Sequence, residues 1–437
     1  VNHMSSEAPW FLGFLENDSD YAEYFVEEDP NADLSDVVRP RTSPLLTPFK
    51  DTDGRDRHVW TTFSADQVDL NYRNSEVLLA IVEVLFFIIS KGVRLIRLDA
   101  VTFLWKERGT SCANLPETHR LIKIMRAAIA KLRTDVVVIT ETNVPHHENI
   151  AYFGNGHDEA HVVYNFALPP LIAHSFITGN AEKLCGWAKT LELPSDHVCF
   201  LNFSASHDGV GVRPVEAILD ESELQGLVDA ARAAGGQVSS RAMGDGRERP
   251  YELNCTFLDL ISGGTDDDTL VSRFIASQAI VLAMPGVPAV YIQSLLGTRN
   301  DIELAQQTGR ARSINRSQHD FEAVKAKLAA KESLESRVFE ALTKLIRIRR
   351  EHAAFHPTAK FEIVDTGAPE VFALSRQASN MDTAILCLFN VSDREVSVEI
   401  PAYFAGQDLL TGSSVVSGDH HLEPYAVRWL EAKDQGR

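Results

Sequence analysis

Long apolar runs are the first thing this sequence lacks. The longest, around residues 84–89, is bounded by Glu83 and Lys91, fits a buried helix and falls short of a membrane span. Cysteine is scarce. Cys112, Cys185, Cys199, Cys255 and Cys387 are scattered with no CxxC pair, which excludes a disulfide framework and a cysteine zinc site and fits a reducing, cytoplasmic compartment. Positive charge is outweighed, with 42 Lys and Arg against 61 Asp and Glu for a net charge of −19. That disfavours a nucleic-acid partner or an anionic membrane, and an anionic substrate would need its own cluster of Arg or Lys. No Gly-rich phosphate loop follows any apolar run, which lowers the nucleotide-binding option. Internal repeats and low-complexity segments are also absent. The opening Val1-Asn2-His3 has no initiator methionine and no readable targeting signal, so a signal ahead of Val1 stays open.

What is present is ordinary globular composition, 44% apolar and 24% charged, in 437 residues. That length suits one large domain with one or two smaller ones. Residues 4–75 are loop-rich and polar. Ser75–Ser90 then predicts a helix capped by Asn74 or Ser75, stopped by Gly92 and followed at once by an apolar strand over 93–98. The alternation continues with an amphipathic helix at 117–132 and strands at 136–140, 162–164 and 198–203. A helix is expected at 181–191, another at 269–283, a strand at 287–292 and a last helix at 336–350. Residues 209–260 interrupt the pattern as a helical, polar insertion with a charged turn at 244–249. After His356-Pro357, short alternating runs predict an all-β appendage of about 80 residues. The whole is α/β with a parallel sheet; the pattern alone leaves an open doubly wound sheet and a closed barrel both possible.

The chemistry lies at the strand ends. Successive strands end in Asp99, Glu141 and His207-Asp208, and in a barrel all would project onto one rim. A helix cap or an ion pair explains one such residue; three on one rim with Arg97 among them point to a catalytic site. Paired carboxylates suit glycoside chemistry, where one attacks the anomeric carbon and the other protonates the leaving oxygen. Arg97, two residues before Asp99, favours an ionised Asp99 and makes it the nucleophile candidate. Glu141 has no basic neighbour in sequence, favouring a raised pKa and the acid/base role. His146 and His147 read as surface residues at a helix start. His157 and His161 are spaced i, i+4 without a third ligand, and Asp51, Asp53 and Asp56 do not make an EF-hand, so no metal is expected.

Arg97-Leu98-Asp99-Ala100, Ile139-Thr140-Glu141-Thr142-Asn143 and Ser206-His207-Asp208-Gly209 resemble three ordered motifs of glycoside hydrolase family 13, the α-amylase superfamily. Val1-Asn2-His3 resembles the end of its D-x-x-x-N-H motif. The stretches 63–70, 109–112, 285–291 and 309–316 (GRARSINR) resemble the sucrose phosphorylase subfamily. Thr140-Glu141-Thr142-Asn143 and Trp60-Thr61-Thr62-Phe63 are closer to its glucosylglycerate phosphorylase branch. The resemblance covers essentially the whole chain.

It implies a (β/α)8 TIM barrel over residues 1–354, incomplete at its N-terminus, with insertions at about 4–75 (domain B) and 209–260 (domain B′), and a C-terminal β domain over 355–437. It implies retaining phosphorolysis of a small α-glucoside to α-glucose 1-phosphate, through a β-glucosyl-enzyme on Asp99 with Glu141 as acid/base. Asp208 would stabilise the transition state beside His207, His3 would bind the hydroxymethyl group of glucose, and Arg316 the far edge of the ring. Arg310 and Arg312 are candidates for phosphate or acceptor, with a solvated basic face as the alternative. Inorganic phosphate is a co-substrate and no cofactor is expected. An α-glucosidase or transglucosylase, and a non-catalytic binding protein on the same fold, are the competing readings. The first-motif aspartate falls four residues before Asn2, ahead of Val1. The chain is therefore expected to be a fragment whose missing strands leave edges exposed and the piece unstable and inactive by itself; a soluble monomer with a cooperative melt would count against that. The oligomeric state is not legible.

Overall fold

The computed structural model describes residues 1–243, 247–378 and 383–432. Residues 244–246 of the expected charged turn lie outside the described residues. The chain forms two compact units, Val1–Tyr164 with Pro194–Val198 and Ser240–Tyr251, and Asn165–Leu193 with Cys199–Ser239 and Glu252–Arg437.

The strands of the first unit are β1 (His3–Ser5), β2 (Leu46–Lys50), β3 (Asp56–Trp60), β4 (Gln67–Asp69), β5 (Leu95–Leu98), β6 (Val137–Thr140) and β7 (Val162–Tyr164). β5, β6 and β7 run parallel, with Leu98 opposite Thr140 and Thr140 opposite Val163. Ile96, Leu98, Val138 and Val163 are buried, as the apolar runs require, whereas Leu95 at the start of β5 is exposed. The helix Ser75–Ser90 starts where the Asn74 side chain accepts the Glu76 amide N–H, and it buries the stripe Val77, Ile81, Leu85 and Ile89. The helix Pro116–Leu132 buries Leu121, Ile122, Met125 and Ile129.

Residues 4–75 are more regular than expected. A helix at Pro9–Leu15 packs Phe11 against Phe25 and Phe49, with ring centroids 4.9 and 4.8 Å apart, and β2 and β3 form a hairpin. The organising groups are aromatic rings too far apart in sequence to leave a periodic pattern.

One histidine expectation changes. His147 is exposed, but His146 is largely buried, and burial, with a smaller contribution from His147, lowers its pKa to about 4. His161 accepts the Val138 amide N–H at 2.9 Å through Nδ1 and packs on Arg126; burial and then Arg126 lower it to about 4. His157 instead faces the His197 ring at 4.9 Å, so the i, i+4 pair serves packing.

The second unit contributes β8 (Cys199–Asn202), β9 (Val210–Gly211) and β12 (Val287–Pro288), and the chain passes between units within β10 (Gln237–Ala242) and β11 (Glu248–Asn254). β8 and β12 are parallel, with Leu201 opposite Val287. Gly286 enters β12 at φ +124°, where a Cβ would come within 2.3 Å of the Phe200 carbonyl oxygen, so no side chain fits. The expected strand over 287–292 is cut short after Pro288, and a short helix follows at Ile292–Leu295. The 209–260 insertion is not wholly helical. It holds the helix Glu221–Ala233, opened by a capping box between Asp220 and Glu223, together with β9, β10 and β11.

The C-terminal strands are β13 (Lys360–Ile363), β14 (Val371–Gln377), β15 (Ala384–Asn390), β16 (Val396–Ile400), β17 (Gly406–Asp408), β18 (Ser414–Val415), β19 (Gly418–Leu422) and β20 (Val427–Ala432). One sheet has the order β13-β14-β15-β20-β17-β18, and β16 pairs with β19. Val371, Ala373, Leu386, Leu388 and Leu430 pack on Val398, Ile400 and Leu422 across them. Arg376, fully buried, donates to the carbonyls of Ala283 at 2.9 Å and His356 at 2.7 Å, fastening this β region to the helix Asp267–Ala283. No helix among the described residues is long and apolar enough to cross a membrane.

Candidate active site

In the first unit the parallel register decides the geometry. Because Leu98 lies opposite Thr140, Asp99 and Glu141 leave the ends of neighbouring strands side by side. The Glu141 amide N–H donates to the Leu98 carbonyl at 3.1 Å. Ala100 then adopts the left-handed conformation (φ 53°, ψ 37°), uncommon for a residue with a Cβ, and its N–H donates to Glu141 Oε2 at 3.0 Å. Arg97 Nη1 meets Asp99 Oδ1 at 2.5 Å, and Arg97 Nε donates to the Tyr164 hydroxyl at 3.2 Å.

Partial burial would push the Asp99 carboxyl up, but the Arg97 guanidinium, by charge and hydrogen bond, more than offsets it, and the pKa is lowered. Arg97 is itself held above its usual value. Burial opposes this, while Glu141 and then Asp99 drive it. Glu141 has no basic neighbour in sequence, but the fold supplies one. Arg97 is remote from it in sequence and adjacent across the sheet.

His3 sits on β1 opposite Asp69 of β4, with its ring edge-on to Phe63 at 5.4 Å and its Nε2 2.8 Å from Gln67 Nε2. Burial keeps its pKa below the usual histidine value despite Asp69, the largest opposing charge, so the ring is neutral near pH 7. Beneath it lies a buried charge network. Lys106 Nζ donates to Asn2 Oδ1 at 2.7 Å and meets Asp69 Oδ2 at 2.8 Å, while Asp69 accepts the Thr62 amide at 3.2 Å. Lys106 lies on the stretch that follows Asp99, so this ion pair ties that stretch to β4, the strand paired with the one carrying His3. Its side chains are 5% and 0% exposed. Replacing Lys106 with Met should leave a buried, uncompensated carboxylate and cost about 3–5 kcal/mol, read as a fall in the denaturant midpoint.

The second unit holds the other candidates. Asp208 Oδ1 meets Arg312 Nη1 at 2.5 Å and Arg316 Nη2 at 3.3 Å, and Arg316 Nε donates to the His207 carbonyl at 2.6 Å. His207 lies beside Asp208, with its ring nitrogen 3.7 Å away. Asn315 Nδ2 donates to the carbonyls of Ser206 and Asp208 at 2.8 and 3.0 Å. Arg312 also forks onto Glu252 at 2.8 and 2.6 Å, so carboxylates occupy the side chain that was a phosphate candidate. Arg310 is exposed. Among the described residues no group of three or more His, Cys, Asp or Glu could hold a metal ion.

Residues 1–196 match the model of the α-amylase catalytic domain. A glucosylglycerate phosphorylase of Escherichia coli is 45% identical over 98% of this chain and 77% of its own length. The chain belongs to the α-amylase family. Within it, the chain falls in the sucrose phosphorylase group: a sucrose phosphorylase of Agrobacterium vitis is 33% identical over 84% of this chain and 74% of its own. The crystal structure of sucrose 6F-phosphate phosphorylase from Thermoanaerobacter thermosaccharolyticum superposes with a TM-score of 0.77, at 25% identity, over 89% of this chain and 78% of that one. The fold of this α-amylase family enzyme is accordingly the (β/α)8 barrel with a C-terminal β domain.

Sequence reasoning missed Tyr164, Lys106, Asp69 and Glu252. Lys106 stands three residues before Gly109-Thr110-Ser111-Cys112 and Asp69 inside the stretch 63–70, so both lay in or beside motifs that carried the resemblance. Tyr164 closes a strand that was expected. Nothing in the sequence around Glu252 pointed to it.

Proposed function

We propose that this enzyme carries out retaining phosphorolysis of a small α-glucoside to α-glucose 1-phosphate, with glucosylglycerate ahead of sucrose as the donor. The observation that carries the reading is the juxtaposition of Asp99, ion-paired to Arg97, with Glu141 on the next strand end. Ionised Asp99 attacks the anomeric carbon while Glu141 gives its proton to the departing oxygen, leaving a β-glucosyl ester. Phosphate then attacks from the face the aglycone left, its proton passing to Glu141, and the α configuration is restored. Asp208 holds sugar hydroxyls and faces the positive charge that develops on the ring, with His207 beside it. His3 and Arg316 bind the glucose.

The ranking of donors is supported by the higher identity to the glucosylglycerate phosphorylase, 45% against 33% for the sucrose phosphorylase. A glycerate carboxylate needs a cation. Arg41 is a candidate, lying 5.7 Å from the centroid of Phe63, the ring that touches His3, and 5.0 Å from that of Tyr251. Arg310 keeps its candidacy for phosphate. The domain boundaries at 354/355, the absence of a cofactor and a cytoplasmic location belong to the same proposal. The five cysteines, none in a disulfide, support the last.

The test is to incubate the full-length protein with glucosylglycerate, glucosylglycerol and sucrose, with and without phosphate. Phosphate-dependent glucose 1-phosphate is expected, fastest from glucosylglycerate. Free glucose at a rate indifferent to phosphate would mean a hydrolase, and no turnover at all a binding protein.

A further inference from the structure

In the second unit, Asp208 sits on a segment gripped from two sides. Gly209 leaves no room for a side chain, since a Cβ would lie 2.5 Å from the Leu253 carbonyl oxygen and 2.7 Å from Glu252 Cγ. β9 follows at once, and Gly211 pairs with Glu252 of β11. From the other side, Asn315 and Arg316 bond the carbonyls of residues 206, 207 and 208.

Between these lies Arg312. Its Nε and Nη2 form a two-pronged contact with Glu252, whose side chain is only 3% exposed, and its Nη1 meets Asp208 Oδ1. Each guanidinium nitrogen thus already faces a carboxylate oxygen, in the planar fork geometry that fixes orientation as well as charge. A buried carboxylate is retained at a cost in desolvation unless it is paired, and here both Glu252 oxygens are met by this arginine. The arrangement is rigid where Asp208 needs rigidity.

We infer that Glu252 is a positioning residue for Asp208, acting through Arg312. Glu252 orients the guanidinium, and the guanidinium in turn sets the Asp208 carboxylate at the angle needed to face the developing charge on the glucosyl ring. Arg312 is thereby a structural relay and not a phosphate ligand. This rests on the proposed role of Asp208.

A double-mutant cycle tests it, using Glu252→Gln, Arg312→Gln and both together in the full-length protein. The amide keeps the shape of Glu252 and removes its charge. Small misplacements of a reacting group cost up to about 100-fold, so Glu252→Gln should lower kcat by about 10–100-fold with KM for the glucoside changed less. In the Arg312→Gln background the same change should cost less than about 2-fold, because the relay is already cut. A merely structural role would give equal losses in both backgrounds. Equal losses, or wild-type kcat for Glu252→Gln, would overturn the inference. Should Glu252→Gln fold poorly, Arg312→Lys keeps the positive charge near Asp208 but gives up the fork, and the same fall in kcat is expected. Running the cycle on α-glucosyl fluoride as well as on glucosylglycerate with phosphate separates the two claims. If the wild type turns over the fluoride without using phosphate, phosphorolysis fails while the relay is still measured.

Discussion

Replacing Asp99 with Asn is expected to lower turnover of any glucoside donor by at least about 10⁴-fold, since the covalent route loses its nucleophile and the uncatalysed attack of phosphate is slow. The substitution is close to isosteric. The Asp99 side chain is nearly half exposed, so its ion pair with Arg97 contributes little to folding, and the thermal midpoint should stay within a few degrees of the wild type. Activity and stability thus separate. Deleting the side chain with Asp99→Gly should open a space that a small anion can fill, and azide is then expected to yield β-glucosyl azide, the inverted product of a single displacement. Unchanged turnover in Asp99→Asn would sink the double-displacement mechanism.

Glu141→Gln should show an effect that depends on the leaving group. The amide can still accept the Ala100 N–H bond, so the strand ends should keep their geometry. It cannot give a proton. General acid catalysis typically contributes about 10²–10⁴-fold, so turnover of glucosylglycerate should fall by that order. Fluoride departs without protonation, and the first step with α-glucosyl fluoride should be nearly unaffected. The pre-steady-state burst of fluoride release measures that step directly. Equal losses on both substrates would remove Glu141 from the acid role and leave it a structural one.

Much of this site was legible because apolar strands announce themselves and their ends can be compared. Ile96-Arg97-Leu98-Asp99 and Val138-Ile139-Thr140-Glu141 each carry the period and the abrupt polar stop of a parallel strand, and their register put the two carboxylates together. What the sequence concealed was pairing between charges far apart along the chain. Arg97 and Glu141 are forty-four residues apart in sequence yet electrostatically coupled across one strand spacing. Lys106 with Asp69, and Glu252 with Arg312, likewise look like unrelated charges until folding pairs them. Short polar strands were missed for a different reason. β19, Gly418-Asp419-His420-His421-Leu422, buries only its last side chain and leaves almost no apolar alternation to read. The 287–292 strand was overextended because its apolar run continues past Pro288, where the strand stops and a helix takes over at Ile292.

The central claim is that glucose is held covalently on Asp99 midway through the reaction. A fluorosugar fluoride whose ring substituent destabilises both transition states, but whose leaving group needs no proton, should form that ester faster than it decays. Digestion and peptide mass spectrometry then locate it. The expected result is one glycosyl adduct on the peptide carrying Asp99, lost when phosphate is supplied in excess and absent from Asp99→Asn. An adduct on Glu141, or turnover of the reagent with no adduct at all, would contradict the mechanism.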